Sequence, residues 1–299
     1  MYVLQHGIAM DRLQQRIFWA RDMLKQPEFV FGPVTNPFTV CWLIVSGERT
    51  IETDDNELDL KRGHLLFFTP GTKYRLLPGR PNDSDFHYYS LGYSAVLDSV
   101  DLCDLFAFPR LSFHAGNPEL QPLMLLWEQL LERFEQIAED AKDRPHLPHF
   151  PHPLESAAFS CAYLSMKGLL TLWLSSVMGL LQPQLAEYPR QIDPRVADIC
   201  RYIRESVHLS PDLDSLARKA HLSPGHLSHL FNQSLGMPPM EYLRRCRLQL
   251  AKELLLNTSL SLKDISLRIG FGEQSQFSRS FRAAEGISPL QYRRQWKSY

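Results

Sequence analysis

A chain of 299 residues, 44% hydrophobic and 22% charged, has room for two domains and a connection, and this balance argues against a disordered or fibrous protein. The net charge of −1 hides an asymmetry: residues 193–299 hold 16 Lys and Arg against 10 Asp and Glu, a net of +6, while the remainder holds 16 against 23, a net of −7. A basic C-terminal part beside an acidic one suits phosphate binding by one half. Five scattered cysteines, Cys41, Cys103, Cys161, Cys200 and Cys246, form no CxxC pair. That argues against a disulfide framework or a zinc finger and fits a reducing cytosol. The opening MYVLQHGIAMDRLQQR has no basic segment followed by an apolar run, so no secretory signal is expected.

From about Phe29 to Leu97 the pattern is β. Short aromatic or β-branched runs at 38–45, 49–53, 65–68 and 86–93 alternate with turn residues at Ser46-Gly47, Asp54 to Asn56, Pro70-Gly71 and Pro78-Gly79. Such spacing predicts a small barrel or jelly roll. Helices are expected over 118–142, on Leu123, Leu126, Trp127, Leu130, Leu131 and Phe134, and over 154–181, on Leu164, Leu169, Leu172, Trp173 and Val177. Between 157 and 181 only Lys167 is charged, long enough to span a bilayer. Lys167 and several Ser and Thr interrupt it, and no aromatic and basic anchors flank both ends; a buried or dimer-forming helix is expected, and no membrane. RPHLPHFPHP joins the two helices. A polyproline II helix would set His146, His149 and His152 on one side, where they could bind a metal; a proline-stiffened linker is the plainer reading.

The remainder repeats. Leu227, Phe231, Gly236, Pro239 and Tyr242 recur 50 positions on as Phe277, Phe281, Gly286, Pro289 and Tyr292, and Leu216 and Leu222 match Ile265 and Phe271 at an offset of 49. A fixed period marks a duplicated unit that gains one residue in its turn. In the first copy Leu213, Leu216, Ala217 and Ala220 mark one face of a short helix. Ser223 then offers an N-cap and Pro224 a first helical position, Leu227, Leu230 and Phe231 turn inward, and Gly236 can close the helix left-handed. In the second, Leu262, Ile265 and Ile269 precede a turn at Gly270 and Phe271, and Phe277 and Phe281 anchor the next helix. Each copy reads as a helix-turn-helix. Leu243, Leu250, Ala251, Leu254 and Leu255 make a connecting helix between them, and Ser288 and Pro289 start a closing helix through Tyr292 and Trp296.

On these residues the chain resembles the AraC/XylS family of transcription regulators. The resemblance covers about residues 193–297 and rests on the two F-x4-G-x2-P-x2-Y runs, RLQLAKELL from Arg247, and IGFGEQSQFSRSFRAAEGISPLQY from Ile269. Ser266 departs from the family's usual alanine, small enough to leave the fold undisturbed. Helical spacing leaves Gly225, His226, Ser228, His229 and Asn232 on the outer stripe of the first recognition helix, and Gln274, Ser275, Gln276, Ser278, Arg279 and Arg282 on that of the second. The resemblance implies that both stripes enter the major groove of double-stranded DNA, in successive segments about 34 Å apart. Arg279 suits guanine O6 and N7, and Gln274 or Gln276 suits adenine N6 and N7. The first stripe, with its small or weak readers, is expected to position more than to read.

The implied architecture is α+β: a cupin-like ligand-sensing barrel or jelly roll over 1–112, a helical linker and dimerisation region over 113–192, and an all-α DNA-binding domain over 193–299. GHLLFFTPGTKYR, from Gly63, resembles a cupin strand and turn. Cupin enzymes carry an HxH pair and a later histidine. Here Thr39 to Gly47 holds no histidine and Tyr74 takes the later position. An effector pocket with no metal, cofactor or catalytic residue is therefore expected, and a cupin enzyme fused to a DNA-binding domain is the alternative. Trp42, His64, Tyr74, Arg75, His87 and Tyr89 are the candidate lining, for a sugar or other metabolite. A homodimer is expected, with RNA polymerase as a candidate partner, activating or repressing nearby promoters.

Overall fold

In a computed structural model of the chain, the described residues are 10–36, 38–54, 56–80, 83–97, 100–114, 116–118, 120–142, 157–187 and 192–296. They divide into two compact units, Met1–Leu97 with Asp101–Pro189, and Arg190–Tyr299 with Asp98–Val100. The histidine run at 146, 149 and 152 lies outside the described residues.

Up to Pro189 the elements are β1 (Gln14–Lys25), β2 (Phe31–Thr35), β3 (Thr39–Ser46), β4 (Arg49–Thr53), β5 (Glu57–Leu60), β6 (His64–Phe68), β7 (Lys73–Leu76), β8 (Phe86–Leu97), β9 (Val100–Asp101), the short α1 (Leu102–Leu105), β10 (Leu111–Phe113), α2 (Leu120–Lys142) and α3 (Ala157–Leu181). One sheet runs β1-β8-β3-β6-β10 and a second runs β2-β7-β4-β5, with antiparallel neighbours. The unbroken apolar run of β3, TVCWLIVS, follows from burial on both faces. Val40, Trp42 and Ile44 join a core with Ile51, Leu60, Tyr74 and Leu76 of the second sheet, while the opposite face meets the helix pair. There Tyr93 packs edge-on against Trp173, with ring centroids 5.2 Å apart, and Trp173 against Trp127 at 5.1 Å. Strands β4 and β7 instead alternate buried with exposed or half-buried residues, because the second sheet has only one covered face.

Helix α3 buries Met166, Leu170, Trp173, Leu174, Val177, Leu180 and Leu181. With the turn that follows it is long and apolar enough to cross a membrane, yet this buried stripe is an amphipathic side packed on α2 and β1. Helices α2 and α3 belong to the same compact unit as the sheets.

The second unit is helical: α4 (Pro194–Glu205), α5 (Leu213–Lys219), α6 (Pro224–Leu235), α7 (Pro239–Asn257), α8 (Leu262–Arg268), α9 (Gln274–Glu285) and α10 (Pro289–Trp296). Side-chain caps set several starts: Asp193 accepts from Arg195 N, Asp212 from Ser215 N, Ser223 from His226 N and Ser261 from Asp264 N. Ser288 and Gln291 cap each other's backbone N–H reciprocally at the start of α10. Two small cores result, one around Phe231 and one around Phe277 and Phe281. Helix α7 supplies Tyr242 and Leu243 to the first, and Leu248, Ala251 and Leu255 to the second, so one continuous helix is shared by both cores.

Candidate functional site: two recognition helices and a sensing sheet pair

In the first helix-turn-helix, α5 and α6 are joined by Ala220 to Ser223, with His221 left-handed at φ 54. The second has the equivalent turn at Gly270, φ 77, and one more left-handed residue, Gly272, φ 71, which is the residue gained between the copies. Helix α6 ends on Gly236 and α9 on Gly286, both left-handed C-caps.

Burial of Leu227 and Phe231 on α6, and of Phe277 and Phe281 on α9, turns the opposite faces to solvent. Gly225, His226, His229 and Asn232 are exposed and Ser228 is half-buried; on α9, Gln274, Ser275, Gln276, Arg279 and Arg282 are exposed and Ser278 is half-buried. Each group of sequence-predicted DNA contacts thus shares one face of one helix. At Gly225 an added Cβ would meet nothing within 4 Å, so packing does not demand glycine there. What a missing side chain offers is close approach of the helix backbone to a ligand.

The six sensing candidates do not share one wall. Trp42 and Tyr74 lie between the sheets with ring centroids 5.8 Å apart. Asn36 Nδ2 donates to the Tyr74 hydroxyl at 2.9 Å, and burial pushes the Tyr74 and Tyr88 hydroxyls well up. Arg75 sits on the other side of β7, exposed and 2.9 Å from Glu52, because the strand's alternation turns Tyr74 inward and Arg75 outward. His87 and Tyr89 alternate with the core residues Phe86 and Tyr88 and face the helices. His87 Nε2 lies 2.5 Å from Asp22 Oδ1, and the Tyr89 hydroxyl donates to Glu128 of α2 at 3.1 Å. His64, at the start of β6, accepts from Lys61 N at 3.2 Å and meets the Phe113 ring edge-on.

Sequence reasoning missed Phe31, Asn36, Phe68 and Tyr88, which surround Trp42 and Tyr74. It also missed Trp19, whose indole donates to Ser90. Alternation from Phe86 would have found Tyr88. Among the described residues no cluster of three or more His, Cys, Asp or Glu could hold a metal.

Two helix-turn-helix units on a shared helix, in a chain that also carries a two-sheet fold, define the class of tandem helix-turn-helix DNA-binding proteins. Comparison with known proteins agrees: residues 24–143 match the AraC-like ligand binding domain and residues 216–295 a helix-turn-helix domain. The arabinose operon regulatory protein of Salmonella typhimurium is 38% identical over 105 residues, 34% of this chain and 37% of that protein. The transcriptional activator AarP of Providencia stuartii is 35% identical over 98 residues, 33% of this chain and 73% of AarP. The chain therefore spans little more than a third of the length of the Salmonella regulator it matches. The fold of ToxT from Vibrio cholerae, solved with an unsaturated fatty acid bound, superposes over 95% of this chain and 97% of ToxT, with a TM-score of 0.59 and 12% identity. The chain belongs to the AraC family of transcription regulators, which is not a family of enzymes.

Proposed function

We propose that this protein is a cytoplasmic, sequence-specific transcription factor that binds promoter DNA through α6 and α9 and changes its affinity when a small organic effector enters between the sheets of the first unit. The observation that carries the reading is the paired stripe: each recognition helix keeps its aromatic or aliphatic side in a core and turns only small, polar or basic residues outward. Arg279 can grip guanine, and Gln274 and Gln276 adenine, so α9 reads bases, while α6 positions the protein through Gly225, Ser228 and the backbone. The effector site is assigned to the aromatic interior around Trp42 and Tyr74, where Asn36 supplies a polar group. Its supports are the match to a ligand-binding domain and that mixed lining.

Dimerisation through the helix pair completes the proposal. Leu164, Leu172 and Leu125 remain 67%, 57% and 55% exposed, an apolar surface suited to a second copy. Two copies would present four recognition helices. Selection of bound DNA from a random pool, followed by footprinting, tests the reading. Protection of two adjacent major-groove segments per chain is expected; failure to enrich any sequence would overturn it.

A further inference from the structure

Lys252 of α7 and Glu285 of α9 form an ion pair, Nζ to Oε2 2.6 Å, with the side chains only 2% and 6% exposed. The ammonium also stands 5.7 Å from the centre of the Tyr292 ring of α10. Burying two charges is costly even when they pair, and apolar residues of similar volume usually stabilise such a site at least as well.

The internal repeat supplies the comparison. On α4 the buried residues Val196, Ile199, Cys200 and Ile203 have the same spacing as Leu248, Ala251, Lys252 and Leu255 on α7. Cys200 therefore stands where Lys252 stands, and each lies beside the tyrosine that closes its unit, Tyr242 or Tyr292. Glu285 has its counterpart in Leu235, which packs on the first core. At these two positions the first unit carries a cysteine and a leucine, and the cation against its closing tyrosine is instead Arg204, which donates to the Tyr242 hydroxyl at 2.8 Å with its guanidinium 5.9 Å from that ring. The helix-turn-helix plan thus accommodates uncharged residues at the positions of Lys252 and Glu285.

We propose that Lys252 and Glu285 are positioning residues that fix the angle of α9 on α7, and through it the base discrimination of Arg279 and the neighbouring glutamines. With both side chains buried, any shift that separates the pair strands an unpaired charge in the core, whereas an apolar contact can slide. Glu285 is the last residue of α9, one turn beyond Arg282, so it governs roll about the helix axis. On a helix about 10–12 Å across with its side chains, a roll of about 20° moves their tips by about 2 Å, more than a bidentate contact to a base edge tolerates. The pair touches no DNA in this scheme.

The inference rests on the DNA-binding reading, so the full-length parent is first shown to prefer a selected site over random DNA; absence of any preference sinks that reading before a variant is made. The double variant Lys252→Met/Glu285→Leu is then compared at one fixed salt concentration. It should fold, keep its affinity for random DNA within about twofold, and lose at least tenfold in the ratio of selected to random affinity, with footprint protection lost only over the segment assigned to α9. Lys252→Arg, which keeps the cation but changes its length, should lower the same ratio and covers the case of a double variant that does not fold. A ratio unchanged within twofold in either folded variant overturns the proposal.

Discussion

A Cβ added to Gly270 would stand 2.7 Å from the carbonyl oxygen of Val207. The same turn receives Arg247, whose guanidinium donates to Leu209 O at 2.9 Å and lies over the Phe271 ring. Gly270 is thus held by a left-handed φ of 77 and by contact, whereas Gly286, φ 74, has open space around its missing Cβ. Gly286→Ala should cost about 1 kcal/mol, from backbone strain alone. Gly270→Ala should cost about 3 kcal/mol, because the clash adds to the strain. Chemical unfolding of the two variants, followed by helical circular dichroism, checks the order; equal losses would show that the Val207 contact yields freely.

Ser266 is wholly buried and its Oγ finds no partner among the described residues. Its small side chain is expected to leave the fold undisturbed in place of the family's usual alanine, and α8 does form around it. The orphaned hydroxyl nevertheless carries a desolvation cost, and alanine is the better helix former. Ser266→Ala should therefore stabilise the second unit by about 1 kcal/mol, seen as a melting temperature raised by about 4 °C or more. No change would mean that the hydroxyl is satisfied by solvent.

Asp101 caps α1 by accepting from Cys103 N at 2.9 Å. Burial raises its carboxyl pKa from 3.8 to about 6, against the lowering effect of that hydrogen bond. The folded state therefore binds the proton more tightly than the unfolded chain. Stability from this group is complete below about pH 3.8 and declines until pH passes about 6, by up to about 3 kcal/mol. Asp101→Asn keeps a capping acceptor and does not titrate. Its stability relative to the parent should rise between pH 4 and 6 and stay level above. Tryptophan fluorescence during urea unfolding reads this unit, since Trp19, Trp42, Trp127 and Trp173 all belong to it; a pH-independent difference would contradict the assignment.

Gly225 occupies an exposed position within α6 with nothing near its missing Cβ, so Gly225→Ala should raise stability by about 0.5–1 kcal/mol through helix propensity. If the backbone of α6 approaches DNA there, the same change should weaken binding severalfold. Opposite signs in unfolding and in gel-shift titration are the expected outcome. Gains in both would remove Gly225 from the interface.

What the sequence made legible follows from which interactions are local. The helix-turn-helix units were readable because Ser223, Pro224, Gly236 and Gly286 act on their own backbone, and a duplicated unit announces itself twice. The sensing sheets were readable only in part. Strand β1 holds Arg16, Arg21, Asp22 and Lys25 among its apolar residues and looks irregular, yet it pairs with β8 along its length, with a shift between Ile17 and Trp19; that pairing is set by residues some seventy positions away. His221 takes a left-handed φ without any glycine to advertise it. The sensing candidates scattered because residue type was weighed without strand parity, which separates Tyr74 from Arg75 and Tyr88 from Tyr89. Lys252 carried a faint signal, since it falls within the buried spacing of Leu248, Ala251 and Leu255, but nothing local points to Glu285 as its partner.

Arg279 and Arg282 share the exposed face of α9 one turn apart, and the proposed DNA contact gives them different tasks, base reading for Arg279 and phosphate binding for Arg282. Arg279 lies in the middle of the helix, near Gln276 and Ser278, and on the proposed contact would meet base edges; Arg282 lies in the last turn and would face the phosphates. Arg279→Ala should cost about 1–3 kcal/mol on the selected site, relax preference at one base position and spare random DNA. Arg282→Ala should weaken selected and random DNA alike and reduce the slope of log affinity against log salt by about 1. Binding measured on the selected site, on its single-base variants and on random DNA across a salt series resolves the two. Equal losses on selected and random DNA for Arg279→Ala would move that arginine from the bases to the backbone, and would leave Gln274 and Gln276 as the readers.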